Sequence, residues 1–256
     1  MHELVHLDVD EGVGIVRLDR PPANAISLEL ARGLLGVLEE AAEREDVGAL
    51  VLTGGPKLFA AGADITRMVD GNVEEIREQV TALGRACDRL EELPKLSIAA
   101  ISGYALGGGF ELALACDLRY AATDARIGQP EIRLGVIPGA GGTQRITWLA
   151  GVGVARDLTY TGRHVEASEA KALGLVERIV DGDVLHVAIA DARTFARGPR
   201  VALAAAKEAI RRAVLDPGPT SLDRERELFL GLFDTEDQRE GMEAFLQKRS
   251  ATFRGR

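Results

Sequence analysis

The sequence predicts an α/β fold with a mainly parallel sheet, followed by a purely helical C-terminal region. Strand and helix patterns alternate along most of the 256 residues, as in βαβ units. After about residue 195 only helical patterns follow. Glycine-rich loops come directly after buried strands, where small residues let a ligand approach the main chain. We therefore divide the chain into a core at residues 1–197 and a helical region at residues 198–256.

The N-terminal elements are predicted to be a hairpin, a helix and a buried strand. Apolar and polar residues alternate on both sides of Glu11-Gly12, which supplies the turn of the hairpin. Ser27 is typical of a helix N-cap, and apolar residues at helical spacing extend this helix to about Arg44. Residues 49–53 are a continuous apolar run, which predicts a buried strand before the loop of residues 54–63.

The same criteria assign the rest of the chain. In order, they predict a helix at 73–92 ended by Pro94, strands at 96–101 and 117–121, a short apolar helix from the glycines at 107–109 to Cys116, and helices at 142–149, 199–214, 220–233 and 236–249. Thr235 with Gln238 resembles a capping box for the last helix. The apolar side chains at 228–233 are expected to pack in the core, with a subunit interface as the alternative.

Composition and charge exclude several classes of protein. Hydrophobic residues are 46% and charged residues 28% of the chain, which is ordinary for a globular protein and excludes disordered and collagen-like chains. The formal net charge is −9, so the surface should repel nucleic acid and anionic membranes, and neither is expected as a partner. Because the first residues carry charges and no run of 18 apolar residues occurs, we expect a cytoplasmic protein.

Metal sites and several familiar catalytic motifs are also not expected. Two cysteines are too few for a disulfide scaffold, and with four histidines and no CxxC pair no metal site is predicted. The chain has no P-loop motif. The glycines at 103–109 do not have the GxGxxG spacing of dinucleotide-binding loops. Ser102 lacks the first glycine of the GxSxG hydrolase motif.

Two glycine-rich loops remain as the candidate ligand site. The first covers residues 59–65, with the sequence FAAGADI, and the second covers residues 103–113, with the sequence GYALGGGFELA. An N–H group from each loop could meet at one oxygen, which is the geometry of an oxyanion hole. If Gly108 begins a helix, the helix dipole adds positive potential at that oxygen. The alternative is that these glycines only allow a strand and a helix to pack closely.

Two glutamates follow these loops. Glu111 lies in the first turn of an apolar helix, where it either stabilises the helix dipole or is half-buried with a raised pKa suited to proton transfer. Glu131 lies in a loop after a proline, where it either forms a surface pair with Arg133 or Arg126 or faces Glu111. Two carboxyl groups facing each other across a water molecule are typical of acid–base addition of water to a double bond.

Taken together, these segments resemble the crotonase, or enoyl-CoA hydratase/isomerase, superfamily. The similarity lies in five blocks that follow in order at family-like spacing: residues 20–27, 59–65, 103–113, 128–145 and 240–249. The resemblance implies a crotonase-like spiral of ββα-type turns, which holds the acyl-CoA site within residues 1–197, and a helical C-terminal trimerisation region. It also implies a homotrimer or a dimer of trimers.

The resemblance further implies an acyl-CoA thioester as ligand. By similarity, the N–H groups of Ala63 and Gly108 bind the thioester oxygen. The residues implied in substrate or CoA binding are Lys57, Ala61, Gly62, Ala63, Asp64, Ile65, Thr66 and Lys248. Thr66 stands where the family has a third basic position, with Arg67 beside it.

Because both family glutamate positions are occupied, by Glu111 and Glu131, the resemblance implies a hydratase. The reaction is the reversible syn hydration of 2-trans-enoyl-CoA to 3-hydroxyacyl-CoA in fatty-acid β-oxidation-type metabolism. Glu111 would act as base on the water and Glu131 would protonate C2, with no metal and no cofactor other than the coenzyme A of the substrate. The alternatives are an isomerase or a carbon–carbon lyase of the same fold, and a non-catalytic acyl-CoA binding or carrier-interaction protein.

Overall fold

The computed structural model describes residues 3–256, apart from the side chains of Arg67 and Asp70. The strands are β1 (Val5–Asp10), β2 (Val13–Leu18), β3 (Ala49–Thr53), β4 (Ala60–Ala61), β5 (Leu96–Ile101), β6 (Tyr104–Leu106), β7 (Leu118–Ala122), β8 (Arg126–Gly128), β9 (His164–Glu166) and β10 (Arg178–Val180). The α-helices are α1 (Leu28–Glu43), α2 (Thr66–Asp70), α3 (Val73–Glu92), α4 (Gly108–Ala115), α5 (Gly142–Thr161), α6 (Ala167–Ala172), α7 (Val184–Ala196), α8 (Arg200–Leu215), α9 (Pro219–Gly231) and α10 (Glu236–Leu246). Short 3-10 helices cover Pro130–Leu134 and Leu232–Asp234.

The strands form two sheets, and the α/β fold class is confirmed. The main sheet has the order β1-β2-β3-β5-β7-β10, in which β1 and β2 are antiparallel and the other neighbours are parallel. The smaller sheet has the order β4-β6-β8-β9 and is parallel except for its last pair. Strands β4, β6 and β8 directly follow β3, β5 and β7 along the chain, so the chain passes repeatedly from the main sheet to the smaller one.

The central strands β3 and β5 of the main sheet are buried on both faces. Along β5, Ala99 and Ile101 belong to the larger apolar core, while Ile98 and Ala100 belong to a second core beneath α7. This alternation follows from the two-residue period of a strand. Helices α1 and α3 pack against each other above the larger core, and α7 packs against β3 and β5 from the other side. Helices on both faces explain why the central strands read as continuous apolar runs.

Most predicted elements are confirmed. The hairpin turns at Glu11-Gly12, both of which have positive φ, and the strands at 49–53 and 96–101 and the helix at 73–92 have the predicted bounds. The Ser27 side chain accepts a hydrogen bond from the Leu30 N–H and caps α1. The predicted boundary between residues 197 and 198 stays a prediction. Across it, Lys207 of α8 is buried and donates to Asp117 beside the main sheet.

Several predictions for the second half of the chain were incomplete or wrong. The predicted helix at 142–149 is confirmed, because Gly151 has non-helical φ and ψ of +82° and +165° and interrupts α5, but the second helical segment, from Val152 to Thr161, was missed. Helix α10 ends at Leu246, three residues before the predicted end. The Thr235 side chain accepts from the Gln238 N–H, but the Gln238 amide contacts Met242, so only half of the capping box forms.

The apolar cluster at 228–233 is not part of the core of one chain. Phe229 and Leu230 are 57% and 66% exposed, and Phe233 is 43% exposed. Core packing was therefore the wrong prediction for these three side chains. Separately, among residues 3–256 no helix combines the length and apolar character needed to cross a membrane.

Helix α4 packs against β4 through close contact between their main chains. Substitutions at glycines can test this packing. A Cβ on Gly109 would lie 2.3 Å from the Ala60 carbonyl oxygen, whereas a Cβ on Gly84 in α3 would meet no atom within 4 Å. We expect Gly109→Ala to destabilise the protein by about 1–3 kcal/mol through overpacking. The matched variant Gly84→Ala should stabilise it by about 0.5–1 kcal/mol.

Thermal and denaturant unfolding of the two glycine variants, compared with the unmodified chain, measures both effects. Shifts of opposite sign are expected. A Gly109→Ala variant as stable as the parent would show that α4 does not approach β4 as closely as described.

Candidate active site

The main chain at Ala63 is oriented by a bridge to the N-terminal segment. Gly62 O accepts from Ile26 N at 2.8 Å, and Asp64 N donates to Ile26 O at 2.9 Å. Because consecutive peptide groups of an extended chain point to opposite sides, the N–H of Ala63 points away from Ile26. On that side lie β6 and the start of α4, since β4 pairs with β6.

The second N–H group comes from the start of α4. Gly107 is the N-cap with φ +50°, and its N–H is bonded to Gly128 O at 2.9 Å. Gly108 is therefore the first helical residue, and the first N–H groups of a helix have no partner within it. A Cβ built on Gly108 would lie 3.6 Å from the Ala63 nitrogen, so the two predicted donor residues are neighbours in space.

Side chains behind the first loop fix its position. The Asp64 carboxylate is buried and accepts from Arg20 at 2.5 Å and from both the N–H and the hydroxyl of Thr66. These hydrogen bonds, that of the Thr66 hydroxyl above all, lower the pKa of Asp64. The buried Gln79 amide donates to Ile26 O at 2.9 Å from behind. The carboxylate of Asp64 thus supports the loop instead of facing outward.

Glu111 is buried more deeply than predicted, with 2% of the residue exposed. Its carboxylate accepts from the main-chain N–H groups of Ala140 and Gly142 at 2.7 and 2.8 Å. Glu111 lies in the first turn of α4, as predicted, and its carboxylate is hydrogen-bonded to the loop before α5. Burial raises the pKa of Glu111, while the two N–H groups and the charge of Arg145 act in the opposite direction.

Glu131 lies in the 3-10 helix Pro130–Leu134 and is half-buried. Its carboxylate is beside the glycines of the second loop, because a Cβ on Gly107 would lie 3.0 Å from Glu131 Oε1 and 3.6 Å from the Gly62 Cα. Of the two arginines predicted as alternative partners, Arg126 pairs instead with Glu166. Burial, with a smaller contribution from the charge of Glu111, raises the pKa of Glu131 to about 7.

The two glutamates therefore have different surroundings. Burial raises the pKa of both carboxyl groups, but main-chain donors and a nearby guanidinium oppose this rise at Glu111, whereas the negative charge of Glu111 adds to it at Glu131. Such a difference in surroundings suits one carboxyl group to act as base and the other as acid.

The loop that binds Glu111 is anchored by Arg145. This buried guanidinium donates to Ala140 O at 2.6 Å, to Glu91 at 2.7 Å and to Asp88 at 3.2 Å. A Cβ on Gly141, whose φ is +104°, would lie 2.0 Å from Arg145 Nη1, so only glycine leaves room for the guanidinium there. Arg145 thereby fixes the peptide groups on both sides of Gly141 that hold Glu111.

Removing this anchor should have a large effect on stability. Arg145→Met leaves the partly buried Glu91 without its partner, and breaking such pairs costs about 3–5 kcal/mol. The double variant Arg145→Met/Glu91→Gln should recover part of that loss, because it removes both members. Denaturant unfolding of the single and double variants measures the coupling. Strictly additive losses would mean that the two side chains do not interact.

The structure brings the predicted residues Ala63, Gly108, Glu111 and Glu131 to one place. Lys57 is exposed in the loop before β4, and Lys248 is exposed after α10, where the described residues show no hydrogen bond between it and the first loop. The binding roles of Lys57, Lys248 and the main chain at Ala61–Thr66 stay predictions. Sequence analysis missed Ala140, Gly142, Arg145 and Gln129, although the glycine-rich loop before α5 was visible as a feature.

Comparisons with known proteins agree on one family. The sequence profile of the enoyl-CoA hydratase/isomerase family matches residues 8–256. The chain is 43% identical to a probable enoyl-CoA hydratase of Mycobacterium tuberculosis over 98% of each chain. It is 40% identical to the short-chain-enoyl-CoA hydratase of Clostridium acetobutylicum, over 96% of this chain and 95% of the relative. The crystal structure of an enoyl-CoA hydratase from Bacillus anthracis is 40% identical, with a TM-score of 0.94 and coverage of 99% of this chain and 100% of that one.

Proposed function

Since the chain belongs to the enoyl-CoA hydratase/isomerase family, we propose that it catalyses the reversible syn hydration of 2-trans-enoyl-CoA thioesters to 3-hydroxyacyl-CoA. Relatives at about 40% identity over nearly the whole chain carry the name enoyl-CoA hydratase. The reaction uses no cofactor other than the coenzyme A that is part of the substrate. The observation that carries the proposal is that Ala63 and Gly108 adjoin each other beside a pair of glutamates in contrasting surroundings.

The two N–H groups of Ala63 and Gly108 bind the thioester oxygen. Negative charge develops on this oxygen as the nucleophile adds to C3, and preorganised main-chain donors stabilise that charge without rearrangement. The N-terminus of α4 adds positive potential at the same oxygen. The loop at Ala61–Thr66 lies along the coenzyme A, with Lys57 and Lys248 as the proposed basic side chains for its phosphates.

Glu111 and Glu131 hold the water and move the protons. Ionised Glu111 takes a proton from the water as its oxygen adds to C3. Protonated Glu131 then gives its proton to C2, so the pair has carried one proton throughout and exchanged which member holds it. In dehydration the same steps run in reverse. The main-chain donors to Glu111, and the burial that raises the pKa of Glu131 to about 7, support this assignment of roles.

Absorbance of crotonyl-CoA at its enoyl-thioester band tests the proposed function. Enzyme-dependent loss of the band, with formation of 3-hydroxybutyryl-CoA, is the expected result. Saturable binding without loss of the band would indicate a binding protein. Conversion of 3-enoyl-CoA to 2-enoyl-CoA without hydration would indicate an isomerase.

We further propose a homotrimer or a dimer of trimers that acts in fatty-acid β-oxidation-type metabolism in the cytoplasm. The exposed side chains of Phe229, Leu230 and Phe233 support an interface formed by the helical C-terminal region. Cys87 and Cys116 are buried free thiols, which fits a reducing compartment. Light scattering or sedimentation of the full chain measures the oligomeric state.

A further inference from the structure

One buried polar side chain at the site has no part in the chemistry described above. Gln129 lies between β8 and the 3-10 helix that carries Glu131, and it is fully buried. The proline at position 130 holds the preceding residue in an extended conformation, with φ −120° and ψ +80°. Buried amides need hydrogen-bond partners, so the contacts of this side chain are informative.

The amide of Gln129 contacts Glu131 and lies against the residue whose N–H binds Glu111. With its nitrogen toward Glu131, it donates to Oε1 at 2.8 Å and to Oε2 at 3.1 Å. The other end of the amide lies against Gly142, where a Cβ would come within 2.3 Å of it. Gly142 is the residue whose N–H binds Glu111. The absence of a side chain at Gly142 therefore makes room for the Gln129 amide next to the peptide group that binds Glu111.

The orientation of this amide depends on the charge of Glu131. With the nitrogen toward an ionised carboxylate, both ends of the amide face complementary groups, and in the opposite orientation the oxygen faces carboxylate oxygens and the nitrogen faces donors. We propose that Gln129 is a positioning residue that holds the Glu131 carboxyl toward Glu111 and stabilises its ionised form. The catalytic role inferred for Gln129 rests on the proposed function, but its contact with Glu131 does not.

Few other charged groups act at this position. Glu111 faces Glu131 from α4, and its charge opposes ionisation. Arg145 on α5 acts on Glu111, and Arg133, on the same short helix as Glu131, acts on His164 of β9. Gln129 therefore counteracts burial and the charge of Glu111. In hydration, Glu131 gives its proton to C2 and becomes ionised. Gln129 therefore stabilises the state of the pair that follows this proton transfer.

The consequence for pH dependence has a definite sign. The active pair carries one proton in both reaction directions, so kcat/KM should follow a bell-shaped profile whose limits belong to the pair. The upper limit reports loss of the last proton, from Glu131, and is expected near pH 7. Removing the Gln129 amide destabilises ionised Glu131, so the upper limit should move to higher pH and the lower limit should move little.

The closing experiment measures the titration of Glu131 without relying on turnover. The band of its protonated carboxyl group is followed by pH-dependent infrared difference spectroscopy and assigned by its loss in Glu131→Gln. In Gln129→Met, which keeps the length of the side chain, we expect the midpoint to rise by about one pH unit. We also expect a fall of about tenfold in kcat, with KM nearly unchanged. Gln144→Met, an exposed glutamine of α5, is the matched control and should change neither quantity.

Gln129→Asn is the second variant. It keeps an amide on a side chain that is one carbon shorter, so it should also raise the titration midpoint of Glu131. An unchanged Glu131 titration in both folded Gln129 variants would overturn the proposal. A raised midpoint in a chain that does not hydrate crotonyl-CoA would support the Gln129 contact while refuting the proposed function.

Discussion

Replacing Glu111 or Glu131 by glutamine should lower kcat for enoyl-CoA hydration by at least about a hundredfold, because each variant removes one partner in proton transfer. Glutamine keeps the size and much of the hydrogen bonding of the side chain. The N–H groups of Ala140 and Gly142 can still donate to the amide oxygen of Glu111→Gln, so this variant should keep its fold. KM should change little, since the thioester is held by other residues.

Steady-state kinetics with crotonyl-CoA measures these effects, and Glu45→Gln, at an exposed position after α1, is the matched control. The double variant Glu111→Gln/Glu131→Gln should have a kcat only slightly lower than that of the more impaired single variant, because the two groups act as a unit. A double variant with near-normal turnover would refute the assignment of the pair.

Gly108→Pro should lower kcat by about 10²–10³-fold, the usual effect of removing one oxyanion donor. Proline lacks the N–H but is compatible with the first position of a helix, so α4 can still form. Gly108→Ala is the comparison, because it keeps the N–H. Its Cβ would meet Leu83 Cδ2 at 3.0 Å, which is the movable end of a side chain.

The difference in kcat between the proline and alanine variants isolates the contribution of the N–H group. Melting temperatures of both variants establish that the fold is intact. If the proline variant turned over crotonyl-CoA as fast as the alanine variant, the Gly108 N–H would have no role in stabilising the oxygen.

Local pattern was enough to predict much of the fold. The helix at α3 and the strands at β3 and β5 have the predicted bounds because an amphipathic period or a continuous apolar run fixes them within one segment. The smaller sheet was missed, since β4, β6, β8 and β9 have only two or three residues each and no period can be read from so few. The second segment of α5, from Val152 to Thr161, was missed because Gly151 and Gly153 interrupt the helical pattern.

Local sequence pattern likewise predicted some residues of the candidate site and missed others. Glu111, Glu131 and the two glycine-rich loops were identified from sequence because their residue types and their positions after buried strands are local properties. Gln129, Arg145 and the peptide groups around Gly141 were not, because their significance depends on contacts with other segments: Gln129 with Gly142, Ala140 and Gly142 with Glu111, and Arg145 with Asp88 and Glu91. These contacts exist only once α3, α4 and α5 are packed together.

The sequence by itself determined the α/β class and the family, and it predicted the four residues that the structure brings together at the candidate site. Only the tertiary structure decided that Ala63 and Gly108 are neighbours in space, and that Glu111 and Glu131 have different surroundings. The physical reason is that residue type and spacing act within one segment, whereas burial, hydrogen bonding and the charge of neighbours depend on which segments meet.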